Sequence, residues 1–255
     1  MRIAVCVKNA VDETELKIDS GGNPQLAGAI SKMSTFDKNA VEEALRLKAS
    51  HSGEVVIVTV GTPESKKTMK EALAMGADKG VLVGADPMAM DTRRTAELLA
   101  AAIKKEGPFD VVLCSEGSSD IYSGLVPPMV GELLGFPYVG YARKMEVSGQ
   151  SARVERSLED SVEVVETALP MVASVVSEIN EPRYPTLIQI MQAGKKPMVE
   201  LAPESLISGW KSSGSWVLGM KAQSMSRKKV VFEGGPEDTA KKLIDALGSE
   251  GVLPR

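Results

Sequence analysis

Aromatic side chains are scarce in this 255-residue chain: four Phe, four Tyr and two Trp make up 4% of it. The core must therefore be aliphatic, with the thirteen methionines as adaptable filler. The single histidine, His51, has no cysteine cluster beside it, which excludes a zinc site and a histidine-based catalytic machine. The two cysteines, Cys6 and Cys114, sit in separate apolar runs and read as reduced core thiols rather than a disulfide or metal pair. No apolar run approaches the roughly 20 residues needed to span a membrane. The opening residues lead straight into an apolar segment, so no leader peptide is expected and a cytoplasmic location is. A net charge of −4 excludes a bulk nucleic-acid binder. Neither GxxxxGK[ST] nor GxGxxG occurs in the expected context. No Ser–His–Asp set exists, and no carboxylate pair stands out among the 34 acidic residues. These absences favour a binding or carrier protein over a hydrolase.

What is present is ordinary globular material, 43% hydrophobic and 25% charged. The chain is organised around residues 109–135, FDVVLCSEGSSDIYSGLVPPMVGELLG. Residues 109–114 form an apolar, β-branched run, the mark of a strand buried on both faces. Small and polar residues follow over 115–123. Leu125, Met129, Val130, Leu133 and Leu134 then recur at helical spacing, and Pro127 and Pro128 fall in the first turn, where a missing N–H costs little. Gly135 and Pro137 stop the helix.

The same strand–helix alternation runs through the first 135 residues. Strands are expected at 2–8, 54–60, 80–83 and 109–114, and helices at 36–48, 64–75, 92–105 and 125–134. Asp37 is the expected N-cap of the first helix. Residues 9–35 form a long connection, with a small hairpin around SGGN. Such alternation predicts a doubly wound, mostly parallel α/β sheet with helices on both faces. Between 138 and 178 the pattern changes to short runs such as ARVERSLED and SVEVVETALP, whose alternation predicts antiparallel strands added to that sheet.

From residue 180 periodicity is weak until an amphipathic helix at 237–247. A tail of this kind cannot easily make its own core. It holds Trp210, Trp216, Leu187, Ile188, Ile190 and Met191, which favours a surface that meets a partner over an arm wrapping its own domain. The expected organisation is an α/β nucleotide-binding domain over 1–180 and an extended C-terminal arm over 181–255.

In an open parallel sheet, ligands bind at the carboxyl ends of the strands. Three loops converge there: KNAVDE after the first strand, GTPES after the second, and CSEGSSDIYSG after the fourth. Each is a weak phosphate cradle alone; together they make a nucleotide pocket plausible.

The chain also resembles the beta subunits of electron transfer flavoproteins over almost its whole length. The resemblance is carried by AVCVKNAVDETELKID, FDKNAVEEALRLK, KEALAMGADKG, LEDSVEVVETALP and above all EINEPRYPTLIQIMQAGKK. It implies an adenine-nucleotide-binding, HUP-like fold and a larger alpha subunit that carries the electron-exchanging FAD. It also implies a buried AMP, or a second FAD, in this chain. Electrons would come from flavin dehydrogenases such as acyl-CoA dehydrogenases and pass on to an acceptor such as a quinone oxidoreductase. The chain itself would make no bonds; it would set flavin position, solvent access and local charge.

By position, the resemblance places the nucleotide against Cys6, against Ser34, Thr35, Phe36 and Asp37, and against Val60. It adds the loop of Ser118, Ser119, Asp120, Ile121, Tyr122, Ser123, Gly124, Leu125 and Val126, together with Met129. Partner recognition falls on Tyr184, Leu187, Ile188 and Met191, with Leu187 the apolar anchor. The loop departs from the family pattern: Tyr122 replaces an acid, Ser123 takes a threonine-like position and Leu125 stands in place of a glutamine. Glu13 stands where some members place an aromatic over the flavin. These changes leave AMP, a second FAD, and a subunit without nucleotide all open. A stand-alone nucleotide-binding sensor of universal-stress-like fold is the alternative from another class.

Overall fold

The computed structural model describes residues 1–210, 218–222 and 228–253. Trp216 lies outside the described residues.

The first strand, β1 (Arg2–Cys6), is the axis of the sheet. Its side chains alternate: Ile3 and Val5 point into one core layer, Ala4 and Cys6 into the other. All four are buried, as a strand covered on both faces requires. A short hairpin follows, β2 (Asn9–Val11) with β3 (Ser31–Met33), antiparallel. Within the connection between them, the expected SGGN hairpin is reduced to one bridge, Ile18 to Pro24. Asp19 accounts for this: its carboxylate accepts from the N–H groups of Gly21 and Asn23 and closes a local turn in place of a ladder.

Helix α1 (Thr35–His51) then leads to β4 (Glu54–Gly61), α2 (Ser65–Met75), β5 (Lys79–Gly84), α3 (Thr92–Glu106), β6 (Val111–Ser115) and α4 (Val126–Leu134). Four more strands join the sheet before its last: β7 (Tyr138–Ser148), β8 (Ser151–Ser157), β9 (Val162–Ala168) and β10 (Met171–Val175). The chain continues through α5 (Leu187–Ala193) and β11 (Met198–Leu201). The strand order is β11-β5-β4-β1-β6-β10-β7-β8-β9. All neighbours from β11 to β7 are parallel; β8 and β9 are added antiparallel. The fold is thus the α/β class expected, a mostly parallel sheet with antiparallel strands at one end.

Helices α1 and α2 pack on one face of the sheet through Ala40, Val41, Leu45, Met69 and Leu73. Helices α3 and α4 cover the other through Leu98, Leu99, Ile103 and Val130. From β1 the chain winds outward to β4 and β5, then returns to place β6 on the opposite side of β1. This reversal is the topological switch point, and it opens a crevice above the carboxyl ends of β1 and β6.

Two local expectations are corrected. Ser34, not Asp37, occupies the N-cap position of α1, and no side chain caps that end. Asp37 is drawn inside by buried partners described below. Leu125 is not on the buried stripe of α4; it is the N-cap residue and half exposed.

The weakly periodic stretch after 180 is held by specific polar contacts. Asn180 donates to the Asn39 carbonyl at 3.0 Å and to Glu43 Oε2 at 3.2 Å. Asn39 returns a hydrogen bond to the Asn180 carbonyl at 2.8 Å. Arg183 donates from Nε and Nη2 to the two oxygens of Glu42, at 2.7 and 2.9 Å. Thr186 and Gln189 form a capping box that starts α5. Lys196 donates to the Leu73 and Ala77 carbonyls at the end of α2. The residues of NEPRYPTLIQ and AGKK that make this latch therefore have direct structural work. Pattern reading overlooked α5 because only Ala193 of its seven residues is buried. Residues 181–210 belong to the same compact unit as the sheet, which extends from Met1 to Met220.

A second unit, Lys221–Arg255, holds α6 (Pro236–Ser249). No side chain of α6 is buried, and Leu243 and Ile244 are exposed. Among the described residues, no helix is long and apolar enough to cross a membrane.

Replacing Arg183 by Ala leaves the Glu42 carboxylate, 5% exposed, without its bidentate partner. Half of the Arg183 side chain is in solvent, so the expected loss is about 1–2 kcal/mol, below that of a fully buried pair. Urea unfolding and limited proteolysis across 183–196 measure it; unchanged stability and unchanged cleavage would remove the latch assignment.

Candidate functional site

A cavity of about 170 Å³ opens at the switch point. Its floor is Cys6, Val7 and Lys8 from the end of β1, Val60 from β4, and Cys114 and Ser115 from β6. Ser118, Ile121, Ser123, Gly124, Val126 and Pro127 form one wall, and Met90, Asp91, Thr92, Thr95 and Leu99, before and within α3, form the other. The lining is apolar at the sheet and around Leu99, and hydroxyl-rich along the loop. Cys6 and Cys114 are free and buried.

One buried carboxyl ties these segments together. Asp37 is 3% exposed. Its Oδ2 accepts from the Lys8 backbone N–H at 2.7 Å, and its Oδ1 lies 2.5 Å from Ser115 Oγ. Burial pushes its pKa up to about 7, against the opposing pull of these two hydrogen bonds. Lys8 turns its ammonium the other way, to Asp120 at 2.7 Å and Ser118 Oγ at 3.4 Å. Burial alone would raise Asp120, but the Lys8 and Ser118 hydrogen bonds and the Lys8 charge outweigh it and hold the carboxyl below its ordinary value.

The remaining expected residues divide by position. Ser34 is fully buried and its Oγ accepts from the Ser119 N–H at 3.2 Å. Phe36 meets Tyr122 edge to face, with ring centroids 5.4 Å apart. Tyr122 adopts a left-handed φ of 51°, and its ring lies so close over Gly117 that a Cβ there would sit 2.7 Å from it. Gly117 is therefore required by the ring of Tyr122. Ser34, Thr35, Phe36, Ser119, Asp120, Tyr122, Leu125 and Met129 do not line the cavity, whereas Cys6, Asp37, Val60, Ser118, Ile121, Ser123, Gly124 and Val126 do; Met129 packs into the core between α3, α4 and the sheet.

Lys8 and Ser115 fall within the loops KNAVDE and CSEGSSDIYSG expected at this edge, although neither is singled out by the sequence; the α3 wall is what sequence reasoning missed. The carboxyl-edge rule applies equally to the connection after β5, which leads to that wall. Conversely, no residue of the GTPES segment at the end of β4 lines the cavity; only Val60, within β4, reaches it, because α2 leads the chain to the other face. The α4 N-terminus is also a poor anion site. Pro127 and Pro128 have no N–H, so Val126 is the only donor among the first three residues of the helix. Ser119 Oγ, by contrast, is buried with no partner, an orphaned polar group in the loop that builds one wall.

Beside this site, α5 presents an apolar face. Tyr184 is 92% exposed and Leu187 73%; Ile188, Ile190 and Met191 are exposed with them. Ile190 belongs to this face with the residues that the sequence groups with it.

A doubly wound sheet with a cavity at its switch point, and a short helix that leaves apolar side chains exposed, defines an α/β protein of the doubly wound class. Comparison with known proteins makes this specific. The profile of the electron transfer flavoprotein domain matches residues 27–206. "Electron transfer flavoprotein subunit beta" of Thermoanaerobacterium thermosaccharolyticum is 32% identical, covering 99% of this chain and 100% of the relative. The protein of that name in Bacillus subtilis is 33% identical over 99% and 100%, and that in Clostridium acetobutylicum 37% over 77% and 76%. The chain belongs to the electron transfer flavoprotein family, as a beta subunit.

Lys8→Met leaves Asp120, 14% exposed, without its cation. The expected cost near neutral pH is about 1.5–3 kcal/mol. Because the Asp120 carboxyl is held low in the folded state, its contribution is present above the ordinary carboxylate value and lost as pH falls through the depressed one. The difference between parent and variant should therefore shrink in acid. Chemical denaturation at several pH values checks this; a pH-independent difference would refute the ion-pair account.

Proposed function

We propose that the switch-point cavity holds an adenine nucleotide, AMP or the adenine end of a second FAD, and that the chain works paired with an alpha subunit carrying the electron-exchanging FAD. The observation that carries this reading is the cavity itself: an apolar slot between Val60 and Leu99 beside a loop of Ser118, Ser123 and Gly124, at the edge where doubly wound sheets bind nucleotides. The Ser118 and Ser123 hydroxyls on this wall suit a polar ligand. Because Pro127 and Pro128 remove helix donors, the hydroxyls and backbone N–H groups of the loop, with Lys8, would hold phosphate. A bound flavin supplies the one- and two-electron chemistry. This chain contributes position, solvent exclusion and local charge, and makes no bonds.

The exposed face of α5 is the docking site for a flavin dehydrogenase of the acyl-CoA dehydrogenase kind. Leu187 enters a pocket of that partner, with Tyr184, Ile188 and Met191 around it. The latch of Asn180 and Arg183 on α1 presents this face in a fixed place. Downstream, a quinone oxidoreductase or similar acceptor takes the electrons. The protein works in the cytoplasm.

Co-expression with the alpha subunit, denaturation and quantification of released nucleotides test the cavity assignment. One FAD and one AMP per heterodimer, or two FAD, would support it. One FAD with no second nucleotide would overturn it. Leu187→Ala should slow electron uptake from the dehydrogenase while nucleotide content stays unchanged. Equal rates in stopped-flow assays would remove the anchor role.

A further inference from the structure

The hydrogen bonds at the cavity floor do not close if Asp37 is ionised. A serine hydroxyl has one hydrogen. Ser115 Oγ lies 2.5 Å from Asp37 Oδ1 and 2.9 Å from the Gly117 carbonyl oxygen. With a carboxylate at 37, both neighbours are acceptors, and one contact has no hydrogen to fill it. A proton on Oδ1 completes the set. The acid O–H donates to Ser115 Oγ, the Ser115 O–H donates to the Gly117 carbonyl, and the Lys8 N–H donates to Oδ2. Each of these buried groups then has its partner.

We propose that Asp37 is held as the neutral acid in the folded protein and is the proton-dependent pin that sets the 115–124 loop against β1 and α1. It acts through Ser115 and Gly117, and is therefore a positioning residue. Its bearing on nucleotide retention rests on the reading of the cavity given above, because this loop is one of its walls.

The charged surroundings oppose one another and leave burial in control. From the end of β1, Lys8 brings its backbone N–H to Asp37, and its ammonium, bound by Asp120 and Ser118, still pulls the Asp37 carboxyl down without overcoming burial. From the loop, Asp120 adds negative charge, which penalises a second carboxylate. From β1 and β6, the neighbouring thiols of Cys6 and Cys114 offer no positive charge; burial and their mutual contact push the Cys114 thiol upward. Burial is the largest influence on Asp37 and places its titration near neutrality. The neutral pin is thus intact below that value and lost as pH rises through it. A carboxylate then competes with the Gly117 carbonyl for the single Ser115 hydrogen, and the loop loosens. The same shift makes folding take up a proton between the ordinary aspartate value and about 7, so this group's contribution to stability falls as pH rises across that window.

The test uses the full-length chain purified with its alpha subunit. Amide hydrogen-exchange protection factors for 115–124 are measured from about pH 6 to about pH 8, alongside nucleotide release. The parent should lose protection by about tenfold, the equivalent of one pKa unit. Nucleotide release should accelerate in parallel. Asp37→Asn offers an amide N–H to Ser115 and a carbonyl to the Lys8 N–H, as the neutral acid does, so its protection should stay high and flat. Asp37→Ala should be loose at every pH, or fail to fold; the asparagine variant carries the test in either case. An infrared band of a protonated carboxyl, present in the parent in mild acid and absent from Asp37→Asn, identifies the proton directly. A parent loop without pH dependence, or an asparagine variant that keeps the parent's profile, would overturn the proposal. If the exchange pattern holds but no second nucleotide is found, the nucleotide reading fails and the pin stands.

Discussion

Asp37 is the constraint on which the site depends. It lies in the first turn of α1, buried where β1 and β6 diverge, and joins both strand ends through Lys8 and Ser115. Removing a carboxyl from water is costly unless it is hydrogen-bonded or protonated. That cost is offset by contacts that can be made only when the β1 loop, the α1 N-terminus and the β6 loop occupy one arrangement. The Lys8–Asp120 pair, one step outward, has the opposite electrostatic character, a carboxyl held down by a cation. The two aspartates differ in environment, so one loop is held by a charged contact and a neutral one.

The loop after β6 follows the same logic. Tyr122 needs space, which Gly117 supplies by lacking a Cβ. The tyrosine packs on Phe36, again in the first turn of α1, so it anchors the loop to the element that carries Asp37. The α4 N-terminus, where two prolines have removed N–H donors, contributes little to anion binding.

The docking face shows how polar contacts position an apolar surface. Helix α5 is seven residues long, too short to be stable alone in water. It is held by a capping box, by Lys196 on the end of α2, and by the Asn180–Asn39 and Arg183–Glu42 contacts on α1. Because α1 also carries Asp37, one helix links the cavity to the face that would meet a partner. Leu187 and its neighbours stay exposed because the latch uses backbone and polar groups and leaves the apolar ones unspent.

The sequence by itself determined the α/β class, the parallel strands and their order of appearance. Buried parallel strands are continuous apolar runs, and their loops are punctuated by Gly and Pro. It also located the loops at the carboxyl edge, because alternation of strand and helix allows only right-handed crossovers. It could not reveal that Asp37 faces inward, since an aspartate near a helix start reads as a cap until its buried partners, 29 and 78 positions away, are in place. Nor could it find α5 or the pairing of Lys8 with Asp120: a helix with one buried residue has no periodic stripe, and a lysine at a strand end reads as solvated. Those features were decided by tertiary structure, because each depends on partners that only the folded sheet brings together.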